Sequence, residues 1–550
     1  MIFVKTVSSL EKCFLGDDFA AKAPFIAGSA LRGDRLSYQI CLYDDGTDSA
    51  AKTVCRARVE SPVAHWVQLS CVHHVPSLMP VFPDRCDGHY LRTESGLFPD
   101  LLIPLRDNPN VYAVPRQLHS LWVDVRVPQG AAPGTYPITV TLQDTKTGAD
   151  VGMSRFTLTV RETVLPEQTL LYTQWFHCDC LANYYGVETF SPDHWRIIGN
   201  FLRTAADNGV NVILTPVFTP PLDTAVGHNR RTTQLVNMTA ENGRYTFDFT
   251  RLGRWIDLCR SVGIHHFEMP HLFTQWGAQH APQIVARVDG EVRQIFGWES
   301  EAVGGAYTDF LQQFLPQLRA YLRAQGVEEQ CIFHISDEPN EQQLEDYRRA
   351  RDSVAALLEG CRVMDAQSDY EFYASGIVPH PIVCTDMIQP FLDSGAEDLW
   401  AYTCCAQCVD VSNRFLAMPS GRNRIMGVQL FRHRIRGFLQ WGYNFYNNQY
   451  SIAPVDPYRV TDGEFFVPSG DAFSVYPAPD GTAYETIHLA VFSQALRDLR
   501  ALEALAERMG RDTVNALIDS RAGKPITFTD YPRDDSFLLN LRETVNEMLG

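Results

Sequence analysis

Long hydrophobic runs are missing from this sequence of 550 residues. No stretch approaches the roughly 18 uninterrupted apolar residues that a membrane-spanning helix needs. The first residues, M-I-F-V-K-T-V-S-S-L-E-K, lack the apolar segment of a signal peptide and are soon followed by Asp17 and Asp18. We therefore predict no membrane span and no signal peptide, and we expect a cytoplasmic protein.

Positive charge is also scarce. Lys and Arg number 47 against 65 Asp and Glu, which gives a net charge of −18. Nucleic acids and anionic membranes attract basic surfaces, so this balance disfavours both as partners. Small neutral substrates are compatible with it, although the balance points to no particular one.

The 14 cysteines do not have the spacing of a disulfide framework. Many lie in apolar runs, as Cys41, Cys259 and Cys331 do, and reduced thiols are the simplest interpretation. The segments H-C-D-C (177–180) and C-C-A-Q-C (404–408) resemble metal ligands. They contain a single C-x-x-C, however, whereas structural zinc generally uses two such halves. We predict no metal site and no cofactor.

Several catalytic motifs are absent too. The sequence has no G-x-S-x-G, no H-E-x-x-H, no G-x-x-x-x-G-K-[ST] and no G-x-G-x-x-G that follows a strand. The hydrolase classes that carry the first two motifs, and nucleotide binding through the last two, therefore lose support.

In the first part of the chain, apolar and polar residues alternate. Leu121, Val123 and Val125 share one face of a strand, while Trp122 and Asp124 occupy the other. The same period of two recurs in 138–142 and 156–160, and A-A-P-G-T-Y (131–136) is a turn signal. We predict an antiparallel β-sandwich over residues 1–165.

From residue 166 onward, strand patterns alternate with helical ones. The strand candidates are 171–176, 211–218, 264–269, 331–335, 362–367, 381–386, 399–404 and 437–446. Eight such units predict a (β/α)8 TIM-like barrel over 166–460. Residues 461–550, which contain a helical pattern at 489–509, are expected to form a C-terminal helical extension packed on the barrel.

The active site of such a barrel lies at the carboxyl ends of its strands. The residues at these ends are mostly aromatic or acidic: Trp175, His177, Asp179, Thr215, Phe218, Glu268, His271, Trp276, His334, Asp337, Glu338, Asp365, Tyr370, Asp386, Tyr402, Trp441, Asn444 and Tyr446. Aromatic faces stack on the C–H faces of sugars, and carboxylates accept hydrogen bonds from sugar hydroxyls. This composition favours a carbohydrate site.

Asp337 and Glu338, in C-I-F-H-I-S-D-E-P-N (331–340), allow two interpretations. Ser, Asp and Pro are typical of a helix start, where acidic residues suit the helix dipole. Alternatively, two carboxyls crowded at a strand end cannot both ionise cheaply, so one keeps a proton near neutral pH. A retained proton is what a general acid needs. The residues alone leave both interpretations open.

The segment H-I-S-D-E-P (334–339) resembles the signature of glycoside hydrolase family 123. Further segments resemble the domain of unknown function that accompanies such barrels: G-F-L-Q-W-G-Y-N (437–444), Y-P-A-P-D-G (476–481) and I-T-F-T-D-Y-P-R (526–533). The resemblance covers nearly the whole chain. It implies a β-sandwich followed by a (β/α)8 barrel and removal of terminal β-linked N-acetylgalactosamine from an oligosaccharide or glycoconjugate.

The resemblance also implies a substrate-assisted mechanism, in which the 2-acetamido oxygen of the substrate attacks C1. Asp337 would then orient the acetamido N–H, and Glu338 would be general acid and afterwards general base. Substrate-binding candidates come from the strand ends. They are Trp441 and Trp276 as a stacking platform, Tyr402, Tyr370, Asn444 and His271 as polar contacts, Trp175 on the rim, and His334, which is expected to orient the acidic pair.

One departure from the family pattern leaves specificity open. His488, Ala490 and Ser493 stand where relatives tend to have arginines and an acidic residue. If these positions touch substrate, the preferred sugar differs from the usual one, and if they only brace the barrel, nothing functional follows.

Two other functions remain as alternatives. The first is a conventional retaining glycosidase, with Glu338 as acid/base and Glu268 or Asp365 as nucleophile. The second is a carbohydrate-binding barrel without activity. The sequence indicates neither the aglycone nor the oligomeric state.

Overall fold

The computed structural model describes residues 1–47, 52–275 and 277–550. The first part of the chain forms ten strands: β1 (Ile2–Ser8), β2 (Ala27–Arg32), β3 (Arg35–Asp44), β4 (Thr53–Glu60), β5 (Val67–Ser77), β6 (Gly96–Pro104), β7 (Val111–Ala113), β8 (Leu118–Arg126), β9 (Gly134–Asp144) and β10 (Asp150–Val164). They make two five-stranded sheets, in the orders β1-β3-β8-β5-β6 and β2-β10-β9-β4-β7. Every pair is antiparallel except β2 with β10. The N-terminal antiparallel sheets predicted from the sequence are therefore confirmed.

The alternation in β8 explains how these sheets are packed. Leu121, Val123 and Val125 are fully buried in the core between the sheets, in the same cluster as the rings of Tyr38 and Phe156, which stack 4.1 Å apart. The opposite face of β8 is covered as well: Trp122 belongs to the large core cluster shared with the rest of the chain. This sheet is thus buried on both sides.

The remaining strands are β11 (Leu171–Gln174), β12 (Val212–Leu214), β13 (Asn237–Glu241), β14 (Arg244–Asp248), β15 (His266–Glu268), β16 (Ile284–Val288), β17 (Glu291–Phe296), β18 (Cys331–Phe333), β19 (Arg362–Val363), β20 (Asp365–Ala366), β21 (Pro381–Cys384), β22 (Trp400–Thr403), β23 (Gly437–Gln440), β24 (Tyr476–Pro477) and β25 (Ala483–Tyr484). Nine of them form one parallel sheet in the order β19-β18-β15-β12-β11-β23-β22-β21-β20. Only Met364 separates the two end strands, β19 and β20, so the sheet curves round into a near-barrel.

A small sheet that the sequence patterns did not predict is inserted beside the near-barrel. Its order is β14-β13-β16-β17, and its two hairpins follow β12 and β15 along the chain. Phe247 and Phe296 of this sheet pack against Phe310 of a neighbouring helix, with ring centroids 6.0 and 5.2 Å away.

The helices are α1 (Cys178–Tyr185), α2 (Pro192–Asp207), α3 (Thr250–Ser261), α4 (Gly305–Ala324), α5 (Leu344–Ala355), α6 (Tyr370–Ala374), α7 (Gln389–Asp393), α8 (Ser420–Arg424), α9 (Met426–Arg432), α10 (Ile487–Met509), α11 (Arg511–Ala522) and α12 (Asp535–Leu549). Short 3-10 helices span Ala64–Trp66, Glu328–Gln330, Glu341–Gln343 and Gln449–Ser451. Across the described ranges, no helix is both long and apolar enough to cross a membrane.

Helices α10 and α12 pack the C-terminal part of the chain against elements that precede it in the sequence. Thr486 caps α10 by accepting a hydrogen bond from the amide of Leu489, and one face of α10 packs on α8 and α9. In α12, the Glu543 carboxylate accepts hydrogen bonds from the amide and hydroxyl of Ser29 in β2. The division into 1–165, 166–460 and 461–550 stays a prediction.

Candidate active site

A pocket of about 220 Å³ opens where the strands of the near-barrel end. Its aromatic walls are Trp175, Tyr402, Trp441, Phe445, Tyr450 and Phe466. Three carboxyl groups, those of Asp223, Asp337 and Glu338, complete its lining together with smaller polar and apolar side chains. The strand-end rule therefore brings Trp175, Asp337, Glu338, Tyr402 and Trp441 into one pocket, as the sequence predicted.

Asp337 and Glu338 are held on the pocket wall by the segment that follows β18. The amide of Ile335 donates to Asp365 Oδ1 over 2.8 Å, and the Ser336 hydroxyl donates to the carbonyl of Thr274 over 2.9 Å. Glu338 has φ +42°, a left-handed conformation that is strained for a side chain with a Cβ.

Helix capping does not use the two carboxylates. Asn340 and Gln343 form a capping box around the 3-10 helix Glu341–Gln343, with α5 following it. Asp337 and Glu338 precede this cap, and among the described residues Asn340 and Gln343, not the two carboxylates, occupy the N-cap positions. The cap and the acidic pair are therefore separate features.

Burial governs the protonation of the pair. It raises the pKa of Asp337 well above the ordinary value, and the neighbouring charge of Glu338 raises it further. Glu338 keeps contact with solvent, but the protein packed around its carboxyl raises its pKa too. The Tyr402 hydroxyl, which donates to Glu338 Oε1 over 2.5 Å, acts in the opposite direction by stabilising the charged form. Both pKa shifts favour the retention of a proton by the pair.

A second, open cleft of about 540 Å³ lies on the far side of Glu338. Glu338 and Tyr402 line both cavities, whereas Asp337 lines the pocket but not the cleft. The other residues of the cleft include Pro339, Met387 and the acidic Glu341 and Asp369. Glu338 therefore stands at the boundary between an enclosed site and an open one.

Trp441 is positioned by a close backbone approach. Its indole N–H donates to Asp471 Oδ2 over 2.9 Å. A Cβ on the next residue, Gly442, would lie 2.2 Å from the carbonyl oxygen of Ala472, so only glycine allows these two segments to pack together. Phe445 and Phe466 meet the Trp441 ring edge-on at 5.0 and 5.9 Å.

The floor beneath the pocket is a buried charge network around His334. Its Nε2 lies 3.2 Å from Glu268 Oε1, and its Nδ1 lies 2.5 Å from the Met364 carbonyl oxygen. Both ring nitrogens face oxygen atoms, which favours the imidazolium form with a proton on each nitrogen. Burial opposes this charge, but the hydrogen bond to Glu268 and the charges of Glu268 and Asp365 outweigh it and raise the pKa of His334.

Glu268 and Asp365 have their oxygens occupied by this network. Glu268 is fully buried and also accepts hydrogen bonds from Thr173 and from the indole of Trp175. Asp365 Oδ2 accepts from the hydroxyl of Tyr347 over 2.5 Å, and burial raises the pKa of Asp365 to about 7.

His271 stacks on His334, with ring centroids 4.7 Å apart. Neither ring nitrogen has a hydrogen-bond partner among the described residues, and burial lowers the pKa of His271 well below the ordinary value. His271, His334 and Asp365 hold ligand-type atoms within 4.8 Å of one another. In its imidazolium form His334 offers no lone pair to a metal ion, and its ring nitrogens already bond Met364 and Glu268.

Other predicted contacts lie away from the pocket. Tyr370 packs in α6 against Tyr373 and Phe391, with centroids 5.9 and 5.2 Å away. The Asn444 amide is fully buried and bonds both the N–H and the C=O of His177, at 2.9 and 3.0 Å. Trp276 lies outside the described residues. The substrate-binding roles of these residues stay predictions.

The departures from the family pattern lie in α10. His488 Nδ1 is 2.8 Å from Asp100 Oδ1, and its Nε2 is 3.1 Å from the carbonyl oxygen of Phe473. Ser493 accepts a hydrogen bond from Arg497, and Ala490 is buried in the core. None of the three residues lines the pocket, and His488 links α10 to Asp100 of β6 and to the backbone of Phe473.

Asp223, Gln275 and Phe445 were missed in the strand-end list. Asp223 lies nine positions beyond the last residue of β12, and Phe445 five beyond the last residue of β23. Such loops carry no periodic signal, so only their place after a barrel strand could have drawn attention to them.

Comparison with known proteins identifies the class of this fold and pocket. The model of the "Glycoside hydrolase 123, catalytic domain" matches residues 175–505. A solved family 123 glycoside hydrolase from Clostridium perfringens, described in connection with glycolipid glycan hydrolysis, has a TM-score of 0.74 at 14% identity, with 100% of this chain and 97% of that chain covered. A β-glucuronidase 2 of Bacteroides uniformis gives a TM-score of only 0.24 at 12% identity, over 84% of this chain and 42% of its own. Curated proteins give no match.

The near-barrel with an acidic, aromatic pocket at its strand ends is thus that of a glycoside hydrolase. Because the family model spans more than half of the sequence, the chain belongs to glycoside hydrolase family 123.

Proposed function

We propose that this enzyme removes terminal β-linked N-acetylgalactosamine from a glycoconjugate by a substrate-assisted retaining mechanism. One observation carries the proposal: Asp337 lines only the enclosed pocket, whereas Glu338 lines both the pocket and the open cleft. A sugar in the pocket and an aglycone in the cleft would place the glycosidic oxygen beside Glu338 and the acetamido group beside Asp337.

In the first step the acetamido oxygen forms a bond to C1 while the bond from C1 to the glycosidic oxygen breaks. Glu338 donates its proton to that leaving oxygen. Asp337 accepts a hydrogen bond from the acetamido N–H and offsets the charge of the oxazolinium ion. In the second step Glu338 takes a proton from water, whose oxygen attacks C1 and opens the oxazoline ring, so the configuration at C1 is retained.

Substrate binding also directs the shared proton. In the free pair, burial and the charge of Glu338 favour protonated Asp337, while Tyr402 favours charged Glu338. An acetamido N–H arriving at Asp337 stabilises its anionic form. The proton then moves to Glu338, where the leaving oxygen needs it.

The packing of the floor supports this mechanism over a conventional one. A nucleophile must reach C1 of the bound sugar, whereas Glu268 and Asp365 are fully buried and do not line the pocket. Glu268 has three hydrogen-bond donors around it, and both oxygens of Asp365 are occupied. We therefore assign these two carboxyls to positioning the pocket.

The same proposal includes the finer architecture. We interpret residues 362–366 as one strand interrupted at Met364, which makes the near-barrel a (β/α)8 barrel. The preference for N-acetylgalactosamine, and for glycolipids among glycoconjugates, is carried over from the family and from its Clostridium perfringens member.

The test is the hydrolysis of nitrophenyl β-N-acetylgalactosaminide, β-N-acetylglucosaminide and β-galactoside by the wild type and by the variants E338Q and D337N. We expect turnover only of acetamido sugars and inhibition by a thiazoline analogue. E338Q should lose about 10²- to 10⁴-fold in kcat/KM, and less with a dinitrophenyl leaving group, which needs little protonation.

D337N should lose at least about 100-fold whatever the leaving group, because its task is at the acetamido group. D289N, which changes a carboxylate that is 89% exposed, is the matched control and should behave as wild type. Full activity of D337N, or fast hydrolysis of the β-galactoside, would contradict the mechanism.

A further inference from the structure

Asp223 is a third carboxyl group in the pocket, and the proposed mechanism does not use it. It follows Leu222 on the pocket wall, in the loop that leaves β12. Its Oδ2 is buried and has no hydrogen-bond partner among the residues described. A buried carboxylate oxygen without a partner is costly, and in a pocket it indicates that the partner belongs to the ligand.

The backbone of Asp223 is held in a strained conformation from both sides. Its φ is +41°, in the left-handed region. The amide donates to Gln275 Oε1 over 2.5 Å, and the carbonyl oxygen accepts from the hydroxyl of Ser451 over 2.7 Å. The amide of Ala225 also donates to the carbonyl oxygen of Tyr450 over 3.1 Å. Strain that the surroundings hold in place is typical of sites that orient a functional group.

Arg230, the cation near Asp223, pairs with a different carboxylate, that of Asp179. Arg230 lowers the pKa of Asp223, but its guanidinium binds both oxygens of Asp179, at 2.8 and 2.9 Å. Burial dominates and raises the pKa of Asp223 to about 6. The backbone amides of Tyr450 and Ser451 also donate to this carboxyl and lower its pKa, so it is mostly charged at neutral pH. Its Oδ2 still lacks a donor, and sugar hydroxyls are donors.

We propose that the Asp223 carboxylate accepts hydrogen bonds from ring hydroxyls of the sugar bound in the pocket and so determines which sugar is hydrolysed. This inference rests on the proposed function. Because Asp337 and Glu338 serve the substituents at C2 and C1, Asp223 is left for the hydroxyls at C3, C4 or C6. A sugar that lacks the bonded hydroxyl, or presents it in the wrong direction, leaves a buried carboxylate unpaired and is rejected.

The experiment is a double-mutant cycle between protein and substrate. Wild type, D223N and D223A are assayed on nitrophenyl β-N-acetylgalactosaminide and on its 3-, 4- and 6-deoxy analogues. We expect D223A to lose about 100-fold in kcat/KM on the parent sugar. For one deoxy analogue, the wild type should lose a similar factor and D223A little more, since the interaction can be removed only once.

Two other results would contradict the proposed role of Asp223. Losses that multiply on every analogue would mean that Asp223 contacts no hydroxyl, and the proposal would fail. A loss beyond about 10⁴-fold in D223A, restored by azide with formation of a glycosyl azide of inverted configuration, would make Asp223 a nucleophile instead. D289N again controls for a lost carboxylate, and thermal melting shows whether D223A is folded.

The experiment distinguishes failure of the Asp223 proposal from failure of the proposed function. Wild-type enzyme that is inactive on every acetamido sugar would overturn the proposed function. Wild-type enzyme that is active, with D223N and D223A unchanged, would overturn only the role of Asp223. If D223A does not fold, the isosteric D223N and the deoxy series on the wild type still give the cycle.

Discussion

Asp337 and Glu338 are neighbours in sequence that both line the pocket, but only Glu338 also lines the open cleft. Burial raises the pKa of both carboxyls, and the charge of Glu338 raises that of Asp337 further, so the retention of a proton by the pair is favoured. The left-handed backbone of Glu338 accompanies the turn of its side chain toward the cleft boundary, while Asp337 stays inside the pocket. In the proposed mechanism, two adjacent residues can therefore act on different groups of one sugar, the glycosidic oxygen and the 2-acetamido group.

If Glu338 is the general acid, as proposed, Tyr402 should set the pH range of the reaction through the pKa of Glu338. Its hydroxyl lowers the pKa of Glu338, so Y402F should raise that pKa. The general acid works only while protonated, and activity is lost as pH rises through its pKa. We expect the alkaline limb of kcat/KM for Y402F to move upward by about one pH unit, the size of one charged hydrogen bond.

The measurement is the pH profile of kcat/KM on an aryl N-acetylgalactosaminide. Y136F is the matched control, since Tyr136 lies in β9 of the N-terminal sheets and lines neither the pocket nor the cleft, and its profile should coincide with that of the wild type. An unshifted alkaline limb in Y402F would show that Tyr402 does not tune Glu338.

Buried ion pairs connect the elements that surround the pocket. Asp498 in α10 accepts hydrogen bonds from Arg424 in α8, at 2.7 and 3.1 Å, and from Arg542 in α12, at 2.8 Å. Arg542 also pairs with Asp34 of the sandwich. These contacts join the near-barrel, the C-terminal helices and the N-terminal sheets.

The variant D498A should destabilise the protein by about 3–5 kcal/mol, because it leaves two buried guanidinium groups without their shared carboxylate. Thermal melting should show a clear fall in Tm, whereas kcat at 20 °C should change little, since Asp498 is not a pocket residue. E507A, at an exposed position of the same helix, is the control and should melt as the wild type does. Equal Tm values for D498A and E507A would refute the structural role.

Charge at the scale of the whole molecule bears on substrate choice. The chain carries a net charge of −18, and two of its carboxyls, those of Glu341 and Asp369, line the cleft beside Glu338. None of the described residues that line this cleft is Lys, Arg or His. An acidic surface around an acidic cleft repels anions and leaves neutral aglycones unaffected.

We therefore expect an aryl N-acetylgalactosaminide with a carboxylate on its aryl ring to react roughly tenfold more slowly than its neutral counterpart at low salt. The difference should shrink at 0.5 M salt and in the double variant E341Q/D369N, because screening or removal of the charges weakens the repulsion. The readout is kcat/KM for both substrates across ionic strength, with D289N as control. Parallel salt dependence of the two substrates would exclude this selection.

Local patterns were sufficient for much of the molecule. The period of two in Leu121, Val123 and Val125 predicted the N-terminal sheets, because burial of one face imposes that spacing. The succession of strand and helix patterns predicted parallel strands, and the strand-end rule then brought Trp175, Asp337, Glu338, Tyr402 and Trp441 together. Period and order along the chain are local properties, so the sequence by itself determined them.

Tertiary structure alone decided which strand-end side chains face the pocket and what each one contacts. Asn444 follows β23 by four positions yet bonds the backbone of His177, and Asp223 reaches the pocket from a loop without periodicity. Glu268 and Asp365 are acidic residues of the right type, but His334, Trp175 and Tyr347 occupy their oxygens. Directions and partners arise where distant segments meet, and no spacing along the chain encodes them.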